Sequence, residues 1–383
     1  MDCEQLQSKT ISRKVRNMAN VHCFGVGLVG SFVASKLADS GHIVHAYDPQ
    51  PFRVLGIPGV EVHRLDPDDY PIDFMLDMIT KRDGFEFDPS RDIVVNMLPG
   101  DIGHSSTTAL AELPWRTVDL SFSQFTPDRD DDKAKDHGAR ILWDTGIAPG
   151  LSNMLLSSAY DEMGPLVKGE VRVGGNPTSP AGGWNYMAPF SPIDVIAEYT
   201  RPARVIRCSE LTILPALSER HEIEVQEKGI MEAFLTDGLR SVLTTIPAQE
   251  LSEYTVRWPG HIQMFLDKTK NAEIDVERIT SEWQYNEKTP EFTWMEVFAQ
   301  GRDGTSMRWT VQDHGSDDGH SMARSTGLVT VCCVEEWLNN PEMLPPGVHP
   351  PESMSPESVN RIVSRLIEEG VEVLGPVITP TNQ

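Results

Sequence analysis

A chain of 383 residues can bury the cores of two domains, and its 33 basic against 57 acidic residues give a formal charge of −24. Such a surface repels nucleic acid and argues against a polybasic membrane anchor, and no apolar run reaches transmembrane length. Five cysteines (Cys3, Cys23, Cys208, Cys332, Cys333) are odd in number and lack C-x-x-C spacing, so a disulfide framework and a zinc site are not expected and a reducing cytoplasm is.

Residues 1–18 are mixed and basic without the apolar core of a secretory signal, and are expected to form an extension. Val21–Gly30 reads VHCFGVGLVG, an apolar strand that breaks into Gly25, Gly27 and Gly30, followed by a helix over Leu28–Leu37. In this G-x-G-x-x-G spacing the first glycine makes the tight turn, the second admits a pyrophosphate to the backbone, and the third lets helix and strand pack closely. The phosphates would sit on the N–H groups at the helix start, around Leu28 and Val29. IVHAYD at 43–48 is a second strand ending on Asp48. An acidic residue about twenty positions on binds both ribose hydroxyls of NAD and repels the extra phosphate of NADP. The alternative for Asp48 is an ordinary turn carboxylate.

VEVHRLD at 60–66 reads as a third strand, and FMLDMIT within 67–91 as a short helix. DIVVNMLPG (92–100), RTVDLSF (116–122) and ARILWDTG (139–146) are further strands, with helices over His104–Leu113 and Pro127–His137 between them. This alternation predicts a doubly wound parallel sheet, whose ligands bind beyond the carboxyl ends of the strands. Asn96, Asp119, Ser121 and Asp144 all lie at such ends. The run DRDDD at 128–132 suits a solvated helix start better than a metal site.

From about residue 168 the pattern changes. KGEVRVGG, ARVIRCSELTIL, SEYTVRWPG, FTWMEVFAQG and TSMRWTVQD alternate like antiparallel strands, with helices expected at 191–199, 229–246 and 261–270. This is a second, α+β domain. Helices over His320–Asn339 and Pro356–Glu369 close the chain around a proline-rich loop.

DTGIAPGLSN (144–153), the glycine pair 174–175, EYTRPARVI (198–206), AFLTDGLRS (233–241), TVRWPGH (255–261), MARSTG (322–327) and GVHPPE (347–352) add a longer, collinear pattern. With the glycine turn and NMLPG, they resemble the saccharopine dehydrogenase-like family, and within it the lysine 6-dehydrogenase branch, from about Ala19 to the end. The resemblance implies a Rossmann domain (19–152 plus 320–383) whose C-terminal helices return to it after a substrate and dimerisation domain (153–319), acting as a homodimer. It also implies NAD(P)-dependent oxidation of a C–N bond, with lysine or a secondary-amine amino acid as the small-molecule substrate. The sequence departs from the family in the run GGNPTSPAGGWNYMAPFSPID after the paired glycine, and in a long loop at 80–91.

Amine oxidation sends hydride to the nicotinamide and requires a neutral amine, whereas a free lysine ammonium has a pKa of roughly 10.4. Asp119 and Asp144 are the carboxylates best placed to hold the amine or a water; otherwise they cap the turns that follow. Arg240 is a candidate clamp for the substrate carboxylate, or else a partner of Asp237 on one helical turn. His261 suits either acid–base work or a structural place at a helix start. Arg257 either binds carboxylate or faces outward, and Tyr186 with Trp184 walls an aliphatic chain or packs under its own loop. Asn96 and Pro99 are expected beside the ribose and nicotinamide half, while Ser152 and Asn153 fit a helix cap. No residue is assigned to a metal. Two rival readings are reductive work on saccharopine or a carboxynorspermidine-type product, and a non-catalytic NAD(H) sensor.

Overall fold

The computed structural model describes residues 18–65, 76, 79, 87–180, 183–270 and 274–380, and its chain divides into two units: 1–145 with 330–353, and 146–329 with 354–383. The first unit is built on a parallel sheet. Its strands are β1 (Asn20–Phe24), β2 (Ile43–Asp48), β3 (Val60–Arg64), β4 (Ile93–Asn96), β5 (Arg116–Asp119) and β6 (Arg140–Leu142), with a short strand Gly347–His349 beyond β6. The order across the sheet is Gly347–His349, β6, β5, β4, β1, β2, β3, so the winding reverses between β1 and β4. Strands covered on both faces need apolar side chains on both, and β4 (IVVN) is buried throughout. At the edge, β3 (VEVHR) is only partly covered. The helix Leu28–Asp39 buries Gly30, Phe32, Val33, Ala34 and Leu37.

The second unit holds a mixed sheet. Its strands are β7 (Leu166–Pro177), β8 (Ala203–Arg207), β9 (Glu210–Leu214), β10 (His221–Val225), β11 (Gly229–Leu235), β12 (Ala248–Arg257), β13 (Glu291–Gly301) and β14 (Ser306–Asp313). They run in the order β10, β11, β12, β7, β13, β14 and then the final strand Glu372–Thr379, with β8 and β9 attached to β12. Only β7 and β12 are parallel neighbours. One apolar cluster gathers Met231, Ala233, Leu235, Val256, Trp258 and Trp294; another, rich in aromatics, gathers Trp184, Tyr186, Tyr199, Phe234, Phe265 and Trp283.

Both parts of the expected fold class are present: the doubly wound sheet and a second unit of strands and helices. Three elements differ from expectation. The helix expected over 229–246 is the strand β11 followed by one helical turn, Val242–Thr245. Its GIMEAFL run is apolar on both faces because Met231 and Leu235 enter one cluster and Phe234 the other, and such a run does not distinguish helix from strand. The stretch 203–214 is a hairpin whose two turn residues, Cys208 and Ser209, have φ of 51° and 66°, the backbone that a tight two-residue connection needs. The returning segment is shorter than expected. Thr330–Ser353 belongs with the parallel sheet, but Met354–Gln383 belongs with the second unit, because Glu372–Thr379 pairs with β14.

Of the FMLDMIT helix only Leu76 and Ile79 are described, both helical; residues 80–86 of the long loop and 1–17 of the extension lie outside the described residues. Among the described residues Cys23, Cys208, Cys332 and Cys333 form no disulfide, and no helix is long and apolar enough to cross a membrane.

Candidate active site

The first unit presents a cradle made mostly of backbone. After β1 the chain turns at Gly25, whose φ is +82°. A Cβ there would lie 2.9 Å from the Met97 carbonyl oxygen, and one at Gly30 would lie 2.1 Å from the Gly25 carbonyl oxygen, so both positions exclude a side chain. Gly27 is the opposite case: it is exposed, and a Cβ built on it meets nothing within 4 Å. The helix that starts at Leu28 and Val29 has no side-chain cap and no acidic residue in its first turn, which leaves its leading N–H groups for an anion. Asp48 lies beside them. Its Oδ2 accepts from the Val26 N–H at 2.8 Å and its Oδ1 from the Gln50 N–H at 2.7 Å, so each oxygen keeps a further acceptor position. These residues fit a dinucleotide: open space over the middle glycine, uncapped donors for the pyrophosphate, and a carboxylate for ribose hydroxyls.

At the carboxyl ends of β4, β5 and β6 the expected residues do come together, as a buried network. Asn96 donates from Nδ2 to the Gly103 carbonyl at 2.8 Å and to Thr107 Oγ1 at 2.9 Å. Thr107 donates in turn to Asp119 Oδ2 at 2.6 Å, and the Ser121 N–H donates to Asp119 Oδ1 at 2.8 Å. Burial pushes the Asp119 carboxyl up to about 6; these hydrogen bonds oppose the shift and nearby Asp144 adds to it. Asp144 is itself buried and has a φ of 53°. Asn96 and Asp119 therefore shape the strand-end turns, while exposed Pro99 starts the next helix.

The second unit's polar cluster is made of side chains. Glu253, Thr255 and Arg257 are alternate residues of β12 and share one face. Arg257 is buried, donates from Nε to Tyr199 Oη at 2.9 Å, and lies over the Tyr186 ring at 4.5 Å. The Trp184 carbonyl can only accept, so the His261 Nδ1 at 2.9 Å from it carries a proton. His261 Nε2 must then accept from Tyr199 Oη at 3.1 Å. Each donor in this chain has one direction. Burial, helped by the Arg257 charge, pushes His261 down to about 3, so it is neutral at ordinary pH. In this arrangement it is a neutral member of the network, held at both ring nitrogens.

Farther along the same face, Thr236 donates to Glu253 Oε2 at 2.5 Å while pairing with Thr255 at 2.7 Å, and the Gly238 N–H donates to that carboxylate at 3.1 Å. A Cβ at Gly238 would lie 2.6 Å from Glu253 Cδ. Burial raises Glu253 to about 8 and Glu198 to about 7; the Arg257 and Arg201 charges oppose the shift at Glu198. Burial opposes the charge on Arg257, but the Tyr199 and Tyr186 oxygens and Glu198 outweigh it and raise its pKa.

Asp237 is bridged by Arg204 at 2.9 Å and Arg201 at 3.3 Å. The helical turn considered from sequence for Asp237 and Arg240 is not there: residues 237–240 are not helical and Arg240 has a φ of 55°. Arg240 is buried; burial and, after it, the charges of Arg240 and Arg204 lower the pKa of Arg201. Arg257 faces inward rather than out. Tyr186 and Trp184 pack against Trp283, with ring centroids 5.3 Å away in each case. Asn153 does cap its helix, accepting from the Gly150 N–H at 3.2 Å.

Glu253 and Glu198 were not singled out from sequence. The signal for Glu253 was present in SEYTVR, where Tyr254 and Val256 are apolar and Glu253, Thr255 and Arg257 fall on the other face. No comparable signal marks Glu198 within a helix.

The model of the saccharopine dehydrogenase C-terminal domain matches residues 146–371. Among solved structures, apo saccharopine dehydrogenase (L-Glu forming) from Saccharomyces cerevisiae superposes with a TM-score of 0.67 at 14% identity, covering 93% of this chain and 100% of that one. Homospermidine synthase from Legionella pneumophila, in complex with NAD, gives a TM-score of 0.64 at 11% identity, covering 93% of this chain and 91% of that one. At these identities the likeness concerns the fold.

Proposed function

The chain belongs to the saccharopine dehydrogenase C-terminal domain family, and from that premise we propose that it is an NAD-dependent oxidoreductase acting on a C–N bond, with the ε-amine of lysine as its substrate. The observation that carries the reading is the open side of Gly27 at an uncapped helix start, with Asp48 anchored to the adjoining N–H. The Legionella homospermidine synthase, which is similar in fold, was solved in complex with NAD. NAD supplies the hydride acceptor when bound. The first unit's residues bind it, and Asp48 disfavours a phosphate on the ribose.

The second unit offers charges of both signs to a substrate that is itself an amino acid with a second amine. The guanidinium groups of Arg201, Arg204 and Arg240 suit a carboxylate. Half-buried Glu198 and buried Glu253 suit an ammonium when ionised, and their raised pKa values bring a carboxylate closer to the basicity needed to take its proton. A homodimer in the cytoplasm completes the proposal.

The test is NAD reduction by the purified protein at alkaline pH, followed by absorbance, with lysine, ornithine, saccharopine and carboxynorspermidine offered separately. Turnover on lysine is expected. Turnover only on saccharopine or carboxynorspermidine would move the protein to secondary amines. NADH binding without turnover on any amine would leave a redox sensor, and equal efficiency with NADP would overturn the role of Asp48.

A further inference from the structure

One face of the β1–β2–β3 edge carries an unusual set of residues for a sheet of this kind. His22 on β1 lies opposite His45 on β2, His45 opposite Glu61 on β3, and Tyr47 opposite His63. His45 Nδ1 is 3.3 Å from His63 Nε2 and 3.5 Å from Glu61 Oε2, and the three atoms all fall within 4.8 Å of one another. Among the described residues this is the one group of three His, Cys, Asp or Glu side chains with such convergence.

These separations have a chemical meaning. Zinc bound to histidine nitrogen and carboxylate oxygen at about 2.0–2.1 Å in a tetrahedron places its ligand atoms about 3.3–3.4 Å apart, whereas adjacent octahedral positions at that bond length are about 2.9 Å apart. The 3.3 and 3.5 Å contacts match the tetrahedral edge. Neighbouring rings fix the ligands. His22 stacks on His45 at 4.9 Å, Tyr47 stacks on His63 at 4.7 Å, and His22 Nδ1 is 3.1 Å from Tyr47 Oη. His45 is buried, while the Glu61 side chain is 50% exposed and gives an ion a way in.

We propose that His45, Glu61 and His63 form a tetrahedral site for a divalent transition ion of the zinc class, with water as the fourth ligand, that ties the edge strand β3 to β2. The sequence expectation of no metal departs from this because the ligands come from two strands. Within β3 they are spaced as E-x-H, which puts Glu61 and His63 on one face, and only the strand pairing adds His45.

The experiment strips the full-length protein with a chelator and titrates it with ZnCl2 by calorimetry, and separately with CoCl2 in the visible range. One equivalent of zinc, the intense visible bands of tetrahedral cobalt, and a thermal midpoint raised by about 5 °C in excess zinc are expected. His63→Ala should abolish the cobalt bands and weaken zinc by about 100-fold or more. Glu61→Ala, at a half-exposed position that leaves the fold intact, should weaken zinc in the same direction. No binding, an octahedral cobalt spectrum, or the parent's affinity retained in both variants would overturn the site and leave an ordinary His45–His63 hydrogen bond.

Discussion

The two units build polar sites in opposite ways. In the first, the candidate cofactor cradle is backbone: glycines that exclude or admit a side chain, bare N–H groups, and one carboxylate holding the loop. In the second, the polar face of β12 is made of buried ionisable side chains that fix one another, from Arg257 through Tyr199 to His261. A backbone site depends on shape and tolerates almost any charge state. A site of buried charges depends on desolvation and is sensitive to pH and to the loss of any one member.

The sharpest test of the first half of this contrast is a pair of glycine substitutions. Gly30→Ala drives a Cβ to 2.1 Å from the Gly25 oxygen, so the turn must move. Loss of NADH binding and about 3 kcal/mol or more of stability are expected. Gly27→Ala meets nothing within 4 Å of the protein. It should fold with an unchanged thermal midpoint and still bind NADH at least about tenfold more weakly, since the methyl occupies the place of the pyrophosphate. Fluorescence titration with NADH alongside thermal unfolding separates the two effects. If Gly27→Ala binds like the parent, the cradle is not where the cofactor sits.

Arg257→Met tests the second half. The guanidinium is buried between Tyr199 and Tyr186, and its removal strands the polar groups it joins. A loss of about 3–5 kcal/mol in denaturant unfolding is expected, with little recovery in Arg257→Lys, because an ammonium cannot both donate along Nε and lie flat over a ring. A cost below about 1 kcal/mol would mean that the aromatic cluster, not the charge, organises this face.

The same contrast explains what the sequence disclosed. The glycine cradle occupies consecutive residues, so Gly25, Gly27, Gly30 and Asp48 could be read with their tasks. β2 is observed over the six residues expected, Ile43–Asp48. The residues at the ends of β4 and β5 were found because strand order alone places them together, but position does not reveal direction. The side chains of Asn96 and Asp119 bond to Gly103, Thr107 and Ser121 around their own turns. In the second unit the partners of Arg257 come from residues 186 and 199, with 261 joined through Tyr199, and no local pattern encodes their meeting. The strand at 229–235 was mistaken for helix for a related reason: burial on both faces erases the period that distinguishes the two.

The smallest effect expected is also the most diagnostic, because only a dry cluster produces it. Glu253 titrates in the unfolded chain near 4.5 and in the folded protein near 8. Between these values the folded protein holds a proton that the unfolded chain has released. The stability this group contributes is therefore fully present below pH 4.5 and is lost as pH rises through about 8. Glu198 and Asp119 act with the same sign, up to about 7 and about 6. His261, lowered from 6.5 to about 3, acts with the opposite sign, losing stability as pH falls through that window. Glu253→Gln keeps an oxygen to accept from Thr236 and Gly238 but has no proton to lose. Urea unfolding should find it close to the parent at pH 5 and more stable than the parent at pH 9, by an amount on the order of 1–2 kcal/mol. Asp119→Asn should gain less over the same interval, since its window closes two pH units lower. A Glu253→Gln difference that stays flat from pH 5 to pH 9 would show that water reaches this carboxylate. The second unit's polar face would then be an ordinary solvated surface, and the contrast with the backbone cradle would fail on its own terms.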